Sequence, residues 1–286
     1  MTIRRACHLI AAVLFASGLA HLGVQAVLGG PWDGPVSWRK PADFGVAFGL
    51  TLWAVTWVSL YLKVRPAVLA WFAAASVVEV VVISVQAWRG VPSHFNTATP
   101  LDATFAFSAA GGGAVIIVAT LFLLRAAFRR LDAPPGMQLA LRVGFASLLL
   151  GLAVGAVMIA IGTSTARTVS LDAAYTAAVV LVPAHAAAMQ GILALPILAW
   201  LTRFTPWPAA VRFRAVVIGT AGYLVCAGTI VLESFLGIDA FSVFTVGTVI
   251  AAAGALVLVG AGIAVARSAL ASATVRHIKD FRPVDH

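Results

Sequence analysis

Against an almost wholly apolar background, a few side chains stand out as able to do chemistry inside a helix: His21, Gln25, Glu79, Gln86, His185, Gln190 and Glu233. His21 and Gln25 are four residues apart and so share one helical face. Ser76, Glu79 and Gln86 form a polar stripe on a Val, Ala and Ile surface. His nitrogen and carboxylate oxygen suit Zn, Mn or Fe, so His21, Glu79 and His185 could hold a metal ion. Two histidines from different helices could instead ligate a haem. A buried His and Glu could also relay protons or couple an ion in a transporter, or the carboxylate could simply be paired to orient helices. The residue types alone leave these readings open.

A second group lies in polar segments. Trp38 and Arg39 sit in GGPWDGPVSWRKPADFG, and Arg89, His94, Asn96 and Asp102 in QAWRGVPSHFNTATPLD. His94 could approach a cavity as a lid residue. Among motifs with a known mechanism, HExxH, GxSxG, a Walker loop, CxxC and CxxCH are all missing. All three lysines, Lys40, Lys63 and Lys279, fall in loops or tail, which leaves no buried lysine for a retinal Schiff base.

The elements that must position these residues are membrane helices. Of 286 residues 62% are hydrophobic and 10% charged, and mean hydropathy is +1.02. Soluble domains carry about 25% charged residues, so the charge deficit decides the class. The net charge of +9 is not a nucleic-acid signature, because basic residues stand singly or in pairs at the ends of apolar runs. The lipid bilayer is the expected partner. Cys7 and Cys226 lie in separate apolar runs and read as small apolar fillers.

Runs of about 20 apolar residues, the length needed to cross a bilayer, occur at approximately 6–28, 42–62, 66–88, 102–124, 139–163, 177–202, 214–236 and 241–266. The expectation is an all-α membrane protein of eight transmembrane helices, one membrane domain with a cytoplasmic tail at 267–286. With both termini inside, only Arg39, Lys40, Arg89 and Arg167 of the 19 basic residues fall outside, so the positive-inside rule orients the chain. Asp33, Asp43, Asp102, Asp172, Glu233 and Asp239 then fall on or near the outer side. Arg4-Arg5 and the small residues to Ala20 resemble a signal peptide, but the apolar run continues to Leu28, so the first helix is read as retained.

Counting about 1.5 Å per residue from each helix's outer end puts His21, Glu79, His185 and the Gly111-Gly112-Gly113 run at similar depth, with Glu233 shallower. This predicts one outward-opening polar cavity lined by the first, third and sixth spans, with the seventh as a further candidate. The triple glycine suggests close packing or, less simply, an unwound backbone. Gly45 and Gly49 form a GxxxG pair, and Gly144, Gly151, Gly155 and Gly162 a small-residue packing face. Pro196 should kink the sixth span and free the carbonyl near Ile192.

SWRKPADFG and QAWRGVPSHFN…TPLD resemble phrases of a group of bacterial multi-pass membrane proteins of uncharacterised activity. The resemblance covers about a quarter of the chain and implies a bacterial inner-membrane protein with the shared feature on the outer face. It implies no activity and no catalytic residue. The function expected is binding of a small molecule or ion in the outward-facing cavity, as transporter, sensor or accessory protein. The alternative is a membrane-embedded enzyme with a His/Glu metal or haem site.

Overall fold

The computed structural model describes the backbone of residues 1–238 and 244–280, with side chains to residue 272. Among them are ten helices and no strands: α1 (Ile3–Leu28), α2 (Arg39–Val58), α3 (Pro66–Trp88), α4 (Pro100–Ala127), α5 (Pro135–Thr168), α6 (Leu171–Val179), α7 (Val182–Met189), α8 (Gly191–Leu201), α9 (Ala209–Phe235) and α10 (Val246–Asp280). Short 3-10 turns extend α2 and α8. Eight segments are long and apolar enough to cross a membrane, the sixth being α7 and α8 taken together. Proline opens α3, α4 and α5 at the first turn, where its missing N–H costs nothing.

Phe72, Phe145, Leu52, Ile83, Ile116, Leu141 and Ile192 are fully buried between helices. Leu9, Val13, Trp53, Trp71, Phe122 and Leu256 are exposed on the outside of the bundle. An apolar outer wall with satisfied helical backbones suits a hydrocarbon solvent.

Glycines set the closest approaches. At the α1–α2 crossing, a Cβ on Gly18 would lie 2.5 Å from the Val46 nitrogen, and one on Gly45 would lie 2.6 Å from Gly18 Cα. The expected GxxxG contact is therefore backbone against backbone. The α5 glycines also face neighbours in turn: Gly144 meets Ile192, Gly151 and Gly155 meet His185, and Gly162 meets the Phe95 ring. α4 runs unbroken through Gly111-Gly112-Gly113. Gly112 packs on Ala75 O and Glu79, so close packing, not unwinding, explains the run.

The sixth span departs from expectation. Its breaks fall at Val180-Leu181 and at Gln190, while Pro196 lies inside an intact α8. Pro183 removes one donor and crowds the carbonyl four residues earlier, that of Val179, which ends α6. At the second break, Tyr223 donates its hydroxyl towards Ala187 O (3.0 Å) and Ala188 O (2.9 Å). A side chain from α9 thus satisfies carbonyls that the interrupted ladder releases.

At the far end, α10 continues as helix to Asp280, so the segment expected as a tail from 267 is helical that far. Asp239, residues 281–286 and the side chains of Arg276, His277 and Lys279 lie outside the described residues.

Candidate functional site

The loop between α3 and α4 folds over one end of the bundle as a structured cap. Gly90 (φ 68°) and Phe95 (φ 62°) supply its left-handed turns. Asn96 builds a local turn, its amide donating to Pro92 O and its side-chain oxygen accepting from the Ala98 N–H. Thr99 then caps α4 by accepting from the Asp102 N–H, while its hydroxyl donates to Asp102 Oδ2 at 2.6 Å. This Thr-x-x-Asp reciprocity was present in the sequence as TPLD, an N-terminal capping signal.

Asp102 is also the hub of a buried network. Arg89 pairs with its Oδ1 at 2.6 Å, and Gln86 Nε2 donates to the same oxygen at 3.2 Å. Arg89 further donates to Gln86 Oε1, and Gln86 Nε2 reaches Pro92 O. Three of the expected residues therefore converge, locking the end of α3 to the start of α4. Arg39 does not join them; it turns outward to Asp33 at 2.8 Å.

A second cluster gathers His21, Trp38 and Trp88. Trp88 Nε1 donates to His21 Nε2 at 3.1 Å, and Trp38 packs edge-on to Trp88 with centroids 4.8 Å apart. His21 Nδ1 lies 2.8 Å from Ser17 O and must donate to it. Both imidazole nitrogens are thus occupied, one donating and one accepting, which leaves no lone pair for a metal or haem iron.

The His21–Glu79–His185 metal set is not assembled. Among the described residues, no group of three or more His, Cys, Asp or Glu side chains could hold a metal ion. Each expected ligand is committed to a different neighbour. His21 bonds the last residue of α3, about 13 Å along that helix from Glu79, so counting from separate helix ends misjudged their common depth: α1 projects beyond α3. Glu79 is buried against Gly112 and Gly113 of α4. His185 Nδ1 donates to Gly151 O of α5 at 2.7 Å. Glu233 accepts from the Thr245 hydroxyl and lies over Gly247 at the start of α10, where a carboxylate complements the helix dipole. Gln25 donates to Gly30 O, and Gln190 is exposed on the bundle surface.

Because Glu79 has no cationic partner among the described residues, Glu79→Gln should leave the unfolding midpoint in detergent unchanged or raise it. A loss of about 3 kcal/mol, the scale of a broken buried ion pair, would show that a partner charge holds the carboxylate.

The residue that sequence reasoning missed is Lys40. It opens α2, yet its Nζ reaches inward to Tyr175 of α6, 3.2 Å from the hydroxyl and 4.3 Å from the ring centroid. Tyr175 in turn donates to His94 O at 2.9 Å and accepts from the His94 N–H at 3.3 Å, fastening the cap to α6. Burial pushes the Tyr175 hydroxyl up to about 12, so it keeps its proton and donates. Burial, with Lys40 adding to it, takes His94 down to about 3, so the ring is neutral beside the ammonium. His94 Nδ1 lies 3.1 Å from Ser93 Oγ, and its ring packs by Phe44. Nothing local distinguishes Lys40 from the adjacent Arg39, which turns outward to Asp33; its partner Tyr175 lies 135 residues away.

The two phrases SWRKP and QAWRGVPSHFN thus meet in space. Ser37 and Lys40 from the first, and Ala87, Val91 and Ser93 from the second, line one small recess under the cap. A larger concavity of about 490 Å³ follows one outer face of α5 from Ala156 to Thr168. Neither includes His21, Glu79 or His185 in its lining.

Fold and cap define a class: an all-helical chain with eight helices able to cross a membrane, closed at one end by a structured polar loop. No protein-family model, curated protein or solved structure matches the chain.

Proposed function

We propose that this is a multi-pass membrane protein that binds a small molecule or ion at its capped end, with Lys40 as the residue that contacts the ligand. The positive-inside rule supports an arrangement with both termini in the cytoplasm and the cap outside. The resemblance to bacterial membrane proteins in the two cap phrases supports an inner-membrane location. The binding site of this reading is the cap, in place of a cavity between His21, Glu79 and His185.

The observation that carries it is the environment of Lys40. An ammonium has three donors; one meets Tyr175, and no carboxylate pairs with Lys40 among the described residues. Burial without a counter-charge disfavours the charged form of an amine. A bound group with negative charge or a strong acceptor would complete the set.

The test is thermal unfolding of detergent-purified protein with chloride, acetate, phosphate and betaine as probes. At least one should stabilise the native chain saturably, and the effect should weaken at least about tenfold in Lys40→Met, the scale of one charge-assisted hydrogen bond. If none of the probes stabilises the native chain, the reading fails.

A further inference from the structure

Of the basic residues at the capped end of the bundle, three are engaged: Arg39 by Asp33, Arg89 by Asp102 and Lys40 by Tyr175. Arg167, in the last turn of α5, is different. Its side chain has no ion pair or hydrogen bond among the described residues, and Asp172 in the first turn of α6 does not pair with it. The same face of α5 carries the concavity of about 490 Å³, lined by Ala156, Ala160, Thr163, Ser164 and Arg167 among others. Gly155 and Gly162 point the other way, to His185 and Phe95. This face therefore looks outward, and Ala156, Ala160 and Ser164 are exposed on it. Large side chains such as Leu9, Trp53 and Phe122 cover the outer wall elsewhere, so the small ones here leave a trough.

We infer that this trough holds one anionic phospholipid, its phosphate at Arg167 and an acyl chain running towards Ala156. Length points to a lipid. Arg167 stands eleven residues beyond Ala156, about 16 Å along the helix, and one leaflet of a hydrocarbon core about 30 Å thick spans about 15 Å. The charge thus lies at headgroup level and the trough at chain level. Chemistry points to a phosphate. Thr163 and Ser164 precede Arg167 by four and three residues and share its face. Neither hydroxyl is bonded among the described residues, whereas Thr165 and Thr168 donate to carbonyls four residues back. A guanidinium flanked by two hydroxyls suits phosphate oxygens. Charge argues against a second copy of the chain as occupant: copies in one membrane run parallel, so a symmetric α5–α5 contact would set Arg167 against Arg167. Lys40 takes no part, so this site is independent of the ligand reading above.

The experiment uses the full chain, purified in detergent and stripped of lipid. Phosphatidylglycerol is titrated in while native mass spectrometry counts bound lipid and the unfolding midpoint is followed. One lipid per chain should bind first and raise the midpoint saturably. Diacylglycerol has the chains without the phosphate, and inorganic phosphate the charge without the chains; neither should raise it. Arg167→Gln should increase the half-saturating concentration about tenfold, the scale of one charge-assisted hydrogen bond. Ala160→Phe, which fills the trough and keeps the charge, should weaken the same first binding step. Both side chains are exposed, so the variants should fold as the native chain does. Arg129→Gln, exposed at the other end of the bundle, is the control and should leave the first lipid in place.

Failure to bind phosphatidylglycerol overturns the inference, as does a first binding step unchanged in Arg167→Gln. Equal weakening in Arg129→Gln overturns the site in favour of diffuse attraction to a basic protein. A midpoint raised as far by inorganic phosphate removes the lipid. A lipid-free dimer that Ala160→Phe dissociates gives the face to a second copy instead.

Discussion

Gly162→Val should detach the cap from the bundle. A Cβ at Gly162 would overlap the Phe95 ring, which lies against the α5 backbone there. Phe95 cannot retreat easily: its left-handed backbone, Tyr175 at 5.4 Å between ring centroids and the His94–Tyr175 hydrogen bonds fix it from the other side. Overpacking of a tight site costs about 1–3 kcal/mol, and here the loop can escape by lifting off. Hydrogen exchange should therefore rise across residues 91–98 while α3 and α4 remain protected, and the unfolding midpoint should fall moderately. Because Tyr175 would lose its hold on His94, any ligand response that depends on Lys40 should weaken in parallel. Unchanged exchange in the loop would mean that the Gly162–Phe95 contact does not hold the cap.

Gly45→Leu should have the largest effect on stability. Here the obstacle is backbone on both sides: a Cβ at Gly45 would lie 2.6 Å from Gly18 Cα and N and 2.8 Å from Leu14 O. Neither neighbour is a flexible side chain, so α1 and α2 must separate along the length of their contact. The loss should reach or exceed the upper end of the roughly 1–3 kcal/mol range for overpacked cores. Gly23→Ala is the matching control, since a Cβ there meets nothing within 4 Å, and alanine should be neutral or slightly stabilising in a helix. Denaturation in detergent by a graded unfolding agent compares the two. Equal midpoints for the two variants would sink the claim that this crossing is backbone-limited.

The structure also ranks the polar residues differently from their chemical types. Glu79, His185 and Glu233 are the conspicuous ionisable side chains within spans, yet each is engaged by the helix beside it. They read as pairing groups that fix helix rotation. Lys40, Ser93 and Tyr175 look ordinary in sequence because each lies at a helix end or in a loop, where polar residues are unremarkable. They become a site only because α2, the 89–99 loop and α6 converge.

Hydropathy and small-residue spacing made most of the fold legible. The eight helices long and apolar enough to cross a membrane among the described residues follow from runs of apolar residues, because a helix in hydrocarbon must have every backbone group bonded and few charges exposed. The Gly45/Gly49 and Gly144-to-Gly162 faces follow from the absence of a side chain, which in a bundle permits only one thing, close approach. The burial of Ser76, Glu79 and Gln86 follows from their shared stripe. These are local properties, and neighbours do not change them.

Relations between elements arise only when the helices pack. The relative height of α1 and α3 separates His21 from Glu79, and no count along either helix contains that offset. The sixth apolar stretch is interrupted at Gln190, where Tyr223 from α9 donates to the Ala187 and Ala188 carbonyls, while Pro196 lies inside α8. Lys40 turns inward because Tyr175, 135 residues away, offers a hydroxyl and a ring face. Partners so distant in sequence leave no periodic trace. Composition along the chain sets which residues are polar and that the chain suits a membrane; helix packing sets which polar residues meet.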